Sequence, residues 1–105
     1  MAFKAVFIAH APDADVQKHY NLIETGKYKL YTYVVKSQDE AIKVCKDLYA
    51  KEQIDSVLLC PGFSHKDVAE IFEALDSKVA VCVSRGDGPS GKITGPVLQR
   101  EFFGK

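Results

Sequence analysis

The chain has 105 residues, and its 14 basic and 14 acidic side chains give a formal net charge of zero. That length predicts one domain, and a hydrophobic fraction of 47% is typical of a globular protein rather than a disordered chain. The lack of a basic surplus disfavours a nucleic-acid partner. No apolar run approaches the roughly 20 residues of a membrane span, and no signal peptide follows Met1. We therefore expect a cytoplasmic protein without a nucleic-acid or membrane partner.

The first third of the chain predicts a strand, a helix and a second strand. Residues 4–9 form a short apolar run that favours a central strand. Asp13 or Asp15 can then cap a helix. The apolar stripe of this helix consists of Val16, Tyr20 and Ile23. Residues 28–36 are rich in β-branched and aromatic side chains, and the lysines near their ends suit a strand at the edge of a sheet.

Two more helices and two more strands are predicted beyond this point. Ser37 and Glu40 have the spacing of a capping box, which begins the second helix. Residues 54–60 are the third strand. Ser64 opens a third helix with a Ser-x-x-Asp cap, and residues 78–84 are a fourth strand that is apolar on both faces.

This alternation of strands and helices predicts an α/β fold. We expect a single-domain three-layer sandwich, in which helices cover both faces of a mostly parallel four-stranded sheet of order 2-1-3-4, as in flavodoxin-like proteins. The α/β domain would comprise residues 1–85. Residues 86–105 would be an irregular C-terminal tail whose two phenylalanines pack on the domain or on a partner subunit.

A ligand site is expected where the carboxyl ends of the first and third strands meet, because chain order reverses there. His10 and His65 fall at this edge and are the candidate catalytic residues, since imidazole titrates near neutral pH. The N-terminus of the third helix offers backbone N–H groups to an anion, and a guanidinium nearby would add a forked contact. The candidate ligand-binding residues are Asp13, Cys60, Gly62, Phe63, Ser64 and Arg85. Two of these have simpler alternatives, because Ser64 can serve only as a helix cap and Arg85 only as a solvated strand end.

The three cysteines contain no C-x-x-C pair, so they predict neither a zinc cage nor a disulfide framework. Apolar surroundings favour core packing for Cys45 and Cys82. Cys60 lies one turn before a helix N-terminus, so it is either a buried residue or a nucleophile assisted by His10 or His65. No metal site is predicted.

Four blocks of sequence carry a family resemblance. They are AVFI at residues 5–8, APDAD at 11–15, LCPGFSH at 59–65 and VSRGDG at 83–88. Together they resemble a family of short bacterial proteins catalogued only as a domain of unknown function. The resemblance departs at Pro61 and Ser64, where the family pattern has glycine. It implies a compact α/β domain in a bacterium and points to no particular substrate, cofactor or catalytic residue.

Three functions stay open. The leading hypothesis is a domain that binds a small anionic metabolite, with His10 and His65 as polar groups and Arg85 as the counter-charge. The second is a small enzyme that uses the same histidines for acid–base chemistry on a carbonyl or carboxylate compound. The third is a non-catalytic homo-oligomeric assembly module, built on the Tyr-rich strand at residues 28–33 and the apolar tail. We expect a homodimer, because the exposed strand edge and the tail leave apolar surface to bury.

Overall fold

The sheet has five strands in the order β2-β3-β1-β4-β5 in a computed structural model that describes residues 1–103. The strands are β1 (Phe3–His10), β2 (Tyr20–Glu24), β3 (Tyr28–Val35), β4 (Ser56–Leu59) and β5 (Ala80–Val83). Neighbouring strands run parallel, with the exception of β2, which is antiparallel to β3. The protein is therefore α/β, with a mixed sheet rather than the predicted four-stranded parallel one.

Three α-helices and one π-helix accompany the sheet. They are α1 (Gln38–Glu52), α2 (His65–Ala74), α3 (Gly88–Leu98) and the π-helix (Gln99–Phe103). None of these helices within residues 1–103 is long and apolar enough to cross a membrane. The two predicted serine N-caps are confirmed. Ser37 accepts a hydrogen bond from the backbone N–H of Glu40 at 3.1 Å, and Ser64 and Asp67 exchange the two bonds of a capping box.

The helix predicted after the first strand is wrong. Asp13 and Asp15 lie in turns, where Asp15 accepts from the backbone N–H of Gln17 at 3.0 Å and donates its own N–H to Nδ1 of His19 at 2.9 Å. The chain then enters β2, and Tyr20 stacks on a tyrosine of β3. A hairpin to β3 satisfies the backbone of this segment, so pairing between strands overrides the helical spacing of its apolar residues.

The extra strand also changes the layers of the fold. The four predicted strands keep their relative order as β3-β1-β4-β5, but β2 occupies the edge that residues 28–36 were expected to form. The crossovers from β3 to β4 and from β4 to β5 advance in the same direction, so right-handed connections place α1 and α2 on one face. The two helices pack against each other there. The segment expected to cover the second face is β2 and lies in the sheet, so the helices do not cover both faces as predicted.

The core lies between the sheet and the pair α1 and α2. Every second residue of the central strands points into it, and the helices contribute one buried stripe each. The buried strand residues include Val6, Ile8, Val35, Val57 and Leu59. The buried helix residues include Ala41, Val44, Cys45, Leu48 and Ile71. The carboxyl ends of β1 and β4 border the site described next.

Residues 88–103 are helical, whereas the sequence predicted an irregular tail. Asp87 caps α3 by accepting from the backbone N–H of Ser90 at 2.9 Å, and Pro89 stands in the first turn, where its missing N–H costs no hydrogen bond. None of the α3 residues is buried, and α3 continues directly into the π-helix. The tail prediction also covered Gly104 and Lys105, which lie outside the described residues.

Candidate functional site

A cavity of about 810 Å³ lies between the carboxyl edge of the sheet and the C-terminal helical segment. Its floor comes from the end of β1 and the loop that follows β4. These floor residues are Ala9, His10, Ala11, Pro12, Cys60, Pro61 and Gly62. Its far wall comes from apolar side chains of α3 and the π-helix. These wall residues are Ile93, Val97, Leu98, Phe102 and Phe103. The cavity is therefore located at the edge where the sequence predicts a ligand site.

His10 is held in place on the cavity floor by an aromatic stack and a close glycine. Its ring lies 4.0 Å from the ring of Phe63, at an interplanar angle of 19°. Phe63 is fully buried, so it forms a rigid platform beneath the imidazole. A Cβ on Gly62 would lie 3.2 Å from His10 Nδ1, which leaves no comfortable room for a side chain. Glycine at this position therefore permits the imidazole to approach the loop after β4.

Cys60 also lies close to Gly62. A Cβ on Gly62 would lie 3.5 Å from the Cys60 Sγ, so the thiol and the imidazole border one small volume of the cavity floor. Cys60 is partly exposed, whereas Cys45 is fully buried. Burial raises the pKa of the Cys45 thiol to about 12, which makes it inert as a nucleophile. Cys82 is exposed, so its predicted place in the core is wrong, because its side of β5 has no helix above it.

The cavity lining carries little charge. Its ionised side chains are Lys36 and Asp87, of opposite sign. Hydrogen bonds from Ser90, chiefly from its backbone N–H, hold the pKa of Asp87 below its ordinary value. Burial lowers the pKa of His10 below 6.5, and the carboxylate of Asp67 offsets part of that effect. At neutral pH His10 is therefore an uncharged imidazole that can donate or accept one hydrogen bond.

Residues 3–95 match the model of a protein family described as a family of unknown function (DUF6506). This chain belongs to that family. The predicted resemblance to a domain of unknown function is thereby confirmed. No curated protein and no solved structure matches the chain. The matched segment of this DUF6506 chain contains the whole sheet, both helices that cover it and most of α3, so the floor of the cavity and part of its wall lie within it.

Several predicted site residues of this DUF6506 chain lie away from the cavity lining. His65 is exposed at the start of α2 and does not line the cavity, so the two histidines do not share it. Asp13 is exposed in a turn beyond the lining. Ser64 caps α2 together with Asp67, and this cap engages the backbone N–H groups of both residues. Arg85 donates to the backbone carbonyl of Pro61 at 3.1 Å and thereby ties the β5 end to the cavity floor.

Sequence reasoning missed the whole far wall of the cavity and its one lysine. Lys36 was assigned only to a strand end, and residues 86–105 were expected to form an irregular tail. The signal for the wall was present in Asp87-Gly88-Pro89, an N-cap followed by proline in the first helical turn. Within residues 1–103, no three His, Cys, Asp or Glu side chains converge as a metal site would require.

Proposed function

We propose that this protein binds a small molecule with an apolar body and one anionic or hydrogen-bonding end, in the cavity between the sheet edge and α3. The observation that carries the proposal is the far wall of the cavity. Its apolar side chains face about 810 Å³ of space rather than a core. That volume lies within the range of roughly 300–1,000 Å³ that is typical of small-molecule sites.

The apolar part of the ligand follows from the exposed wall. Ile93 is 76% exposed, and Phe103 is exposed as well, so a monomer leaves both in contact with water. An apolar ligand that covers such a side chain gains roughly 25 cal/mol for each Å² removed from water. The wall therefore favours hydrocarbon or aromatic groups over a sugar or a polyphosphate.

The polar end of the ligand follows from Lys36 and His10. Lys36 is the basic side chain of the lining, and a single ammonium suits one carboxylate or sulfonate rather than a multiply charged anion. His10 is neutral and stacked in a fixed orientation, so it offers a directional hydrogen bond. The α2 N-terminus contributes less than the sequence suggested, because its capping box already engages two of its N–H groups.

Two matched dyes test this proposal. 1-Anilinonaphthalene-8-sulfonate has an aromatic body with one anionic group, and N-phenyl-1-naphthylamine is the same body without the sulfonate. We expect both to bind with increased fluorescence. We expect Ile93→Asp to weaken both by about tenfold, a loss of about 1.4 kcal/mol. Lys36→Gln should weaken the binding of the sulfonated dye alone, by a few-fold, as expected for an exposed ion pair.

Leu58→Glu is the matched control, because Leu58 is also an exposed apolar residue but does not line the cavity. Its affinity for both dyes should equal that of the wild type. Far-UV circular dichroism of each variant checks that the fold is retained. Dye binding that survives Ile93→Asp but is lost in Leu58→Glu would place the dye on the sheet and contradict the proposal.

A further inference from the structure

One face of the sheet lies opposite α1 and α2, and we call it the open face. Strand register assigns its members, because paired residues point to the same side of a sheet. From β1 and β3 they are Phe3, Ala5, Phe7, Ala9, Tyr28, Leu30, Thr32 and Val34. From β2, β4 and β5 they are Asn21, Ile23, Ser56, Leu58, Ala80 and Cys82. Several of these apolar side chains are exposed, including Phe3, Ile23, Tyr28 and Leu58.

The open face carries no Lys, Arg, Asp, Glu or His. The charged residues of the strands all point to the opposite side. Lys4 donates to the backbone carbonyl of Glu52 at the end of α1, at 2.8 Å. Lys29 pairs with Glu24 at 3.4 Å, beside the helices. Soluble monomers usually place charges on exposed strands to prevent association, and this face has none.

We propose that the open face packs against the same face of a second copy of the chain, in a two-fold symmetric homodimer. Parallel strands are normally covered on both faces, and here one cover is absent because β2 joins the sheet instead of forming a helix. A two-fold interface brings one surface patch against its own copy, so a charge close to the axis would meet a like charge. An uncharged, mostly apolar face can pack against its own copy, and two such sheets stack at about 10 Å.

The area of the face is close to the lower limit for a specific dimer. With strands about 4.8 Å apart and same-side residues about 6.6 Å apart, each residue covers about 32 Å² of flat sheet, and the whole face covers about 450 Å². Two copies thus bury about 900 Å² when each face is treated as a plane, without the additional surface area of its side chains. Specific interfaces begin at about 1,000–1,200 Å² in total, so we expect a dimer that dissociates on dilution.

Sedimentation velocity from nanomolar to high micromolar concentration tests this dimer. We expect the wild type to pass from monomer to dimer with rising concentration. Leu58→Glu places a carboxylate on the open face and should raise the dissociation constant by at least about 100-fold, since two buried like charges result. Leu22→Glu is the matched control, because Leu22 is 46% exposed against 40% for Leu58 but points to the helix-covered side of the sheet. This control should dimerise like the wild type.

A wild type that stays monomeric at the highest concentration overturns the proposal and leaves the face to a different protein partner. A dimer that persists in Leu58→Glu overturns it too, because the interface then lies elsewhere, for instance on α3. The alkylation rate of Cys82 gives a second readout that needs no mutation of the face. This thiol is exposed in one copy, so its rate in a Cys60→Ser background should fall as the concentration rises.

Discussion

Leu58 and Leu59 are neighbours in β4, yet Leu58 is 40% exposed and Leu59 is fully buried. The same contrast separates the two faces of the whole sheet. Both faces are apolar, so hydrophobicity does not distinguish them. Their difference is that α1 and α2 cover one face, whereas Phe3, Leu58 and Cys82 on the other face are exposed. Burial here is thus decided by the direction of the crossovers, and apolar composition alone does not reveal which face is covered.

The largest test of this contrast is a pair of alanine substitutions. Leu59→Ala should lower the free energy of unfolding by about 2–5 kcal/mol, because it leaves a cavity under α1 and α2. Leu58→Ala should change it by about 0.5 kcal/mol or less in dilute protein, since an exposed side chain loses little on truncation. Urea denaturation below the concentration at which copies associate measures both. Equal losses would show that the open face is covered within one chain.

Helices α2 and α3 differ in the same way, because α2 covers the sheet and α3 buries none of its residues. Removing the N-cap of each helix tests this difference. Ser64→Ala removes the α2 cap and should cost about 1 kcal/mol of global stability. Asp87→Ala removes the equivalent cap of α3, which buries none of its residues. We expect it to fray α3 without shifting the urea midpoint.

Amide hydrogen exchange at Ser90 and Gly91 reports that fraying. In the Asp87→Ala variant these amides should exchange faster, while those of β1 and β4 keep their wild-type rates. A shifted urea midpoint in this variant would mean that α3 contributes to the core.

The smallest expected effect concerns His10 and pH. Burial lowers its pKa in the folded protein below 6.5, so the unfolded chain binds the proton more tightly. The associated stability is present above the ordinary pKa and is lost as pH falls through 6.5 and the lowered value. His10→Gln should therefore flatten the decline in urea midpoint over that interval. An unchanged slope would indicate that the imidazole is as solvated as in the unfolded chain.

Local signals in the sequence were sufficient for much of the fold. Ser37 and Ser64 mark helix starts, and the apolar runs mark the strands that became β1, β3, β4 and β5. They were insufficient for residues 12–24, because Val16, Tyr20 and Ile23 have the spacing of a helical stripe, whereas Tyr20 and Ile23 in fact pair with β3. That competition is decided by long-range pairing, which a short window cannot contain. The wrong prediction of helices on both faces of the sheet had the same cause, because the helix expected on the second face is β2.

The candidate site was predictable at its floor and not at its wall. His10, Cys60 and Gly62 follow from the rule that ligands bind at the carboxyl ends of strands, and all three line the cavity. Whether they bind a ligand stays a prediction. Ile93 and Val97 lie on a helix that has no buried stripe and contains Pro96, so periodicity gave no reason to place a wall there. The only sequence signal for the helix that forms this wall was the N-cap at Asp87 and the proline after it.

The most direct test of the account is an amide NMR titration of the wild type with the sulfonated dye and its uncharged analogue. The account predicts that both dyes shift the resonances of Gly62 and Gly91, on opposite sides of the cavity, and leave Phe7 and Leu58 on the open face unchanged. The sulfonated dye should shift the amide resonance of Lys36 more than the uncharged dye does. Shifts confined to Phe7 and Leu58 would contradict the account, because the apolar surface that binds small molecules would then be the open face and not the cavity.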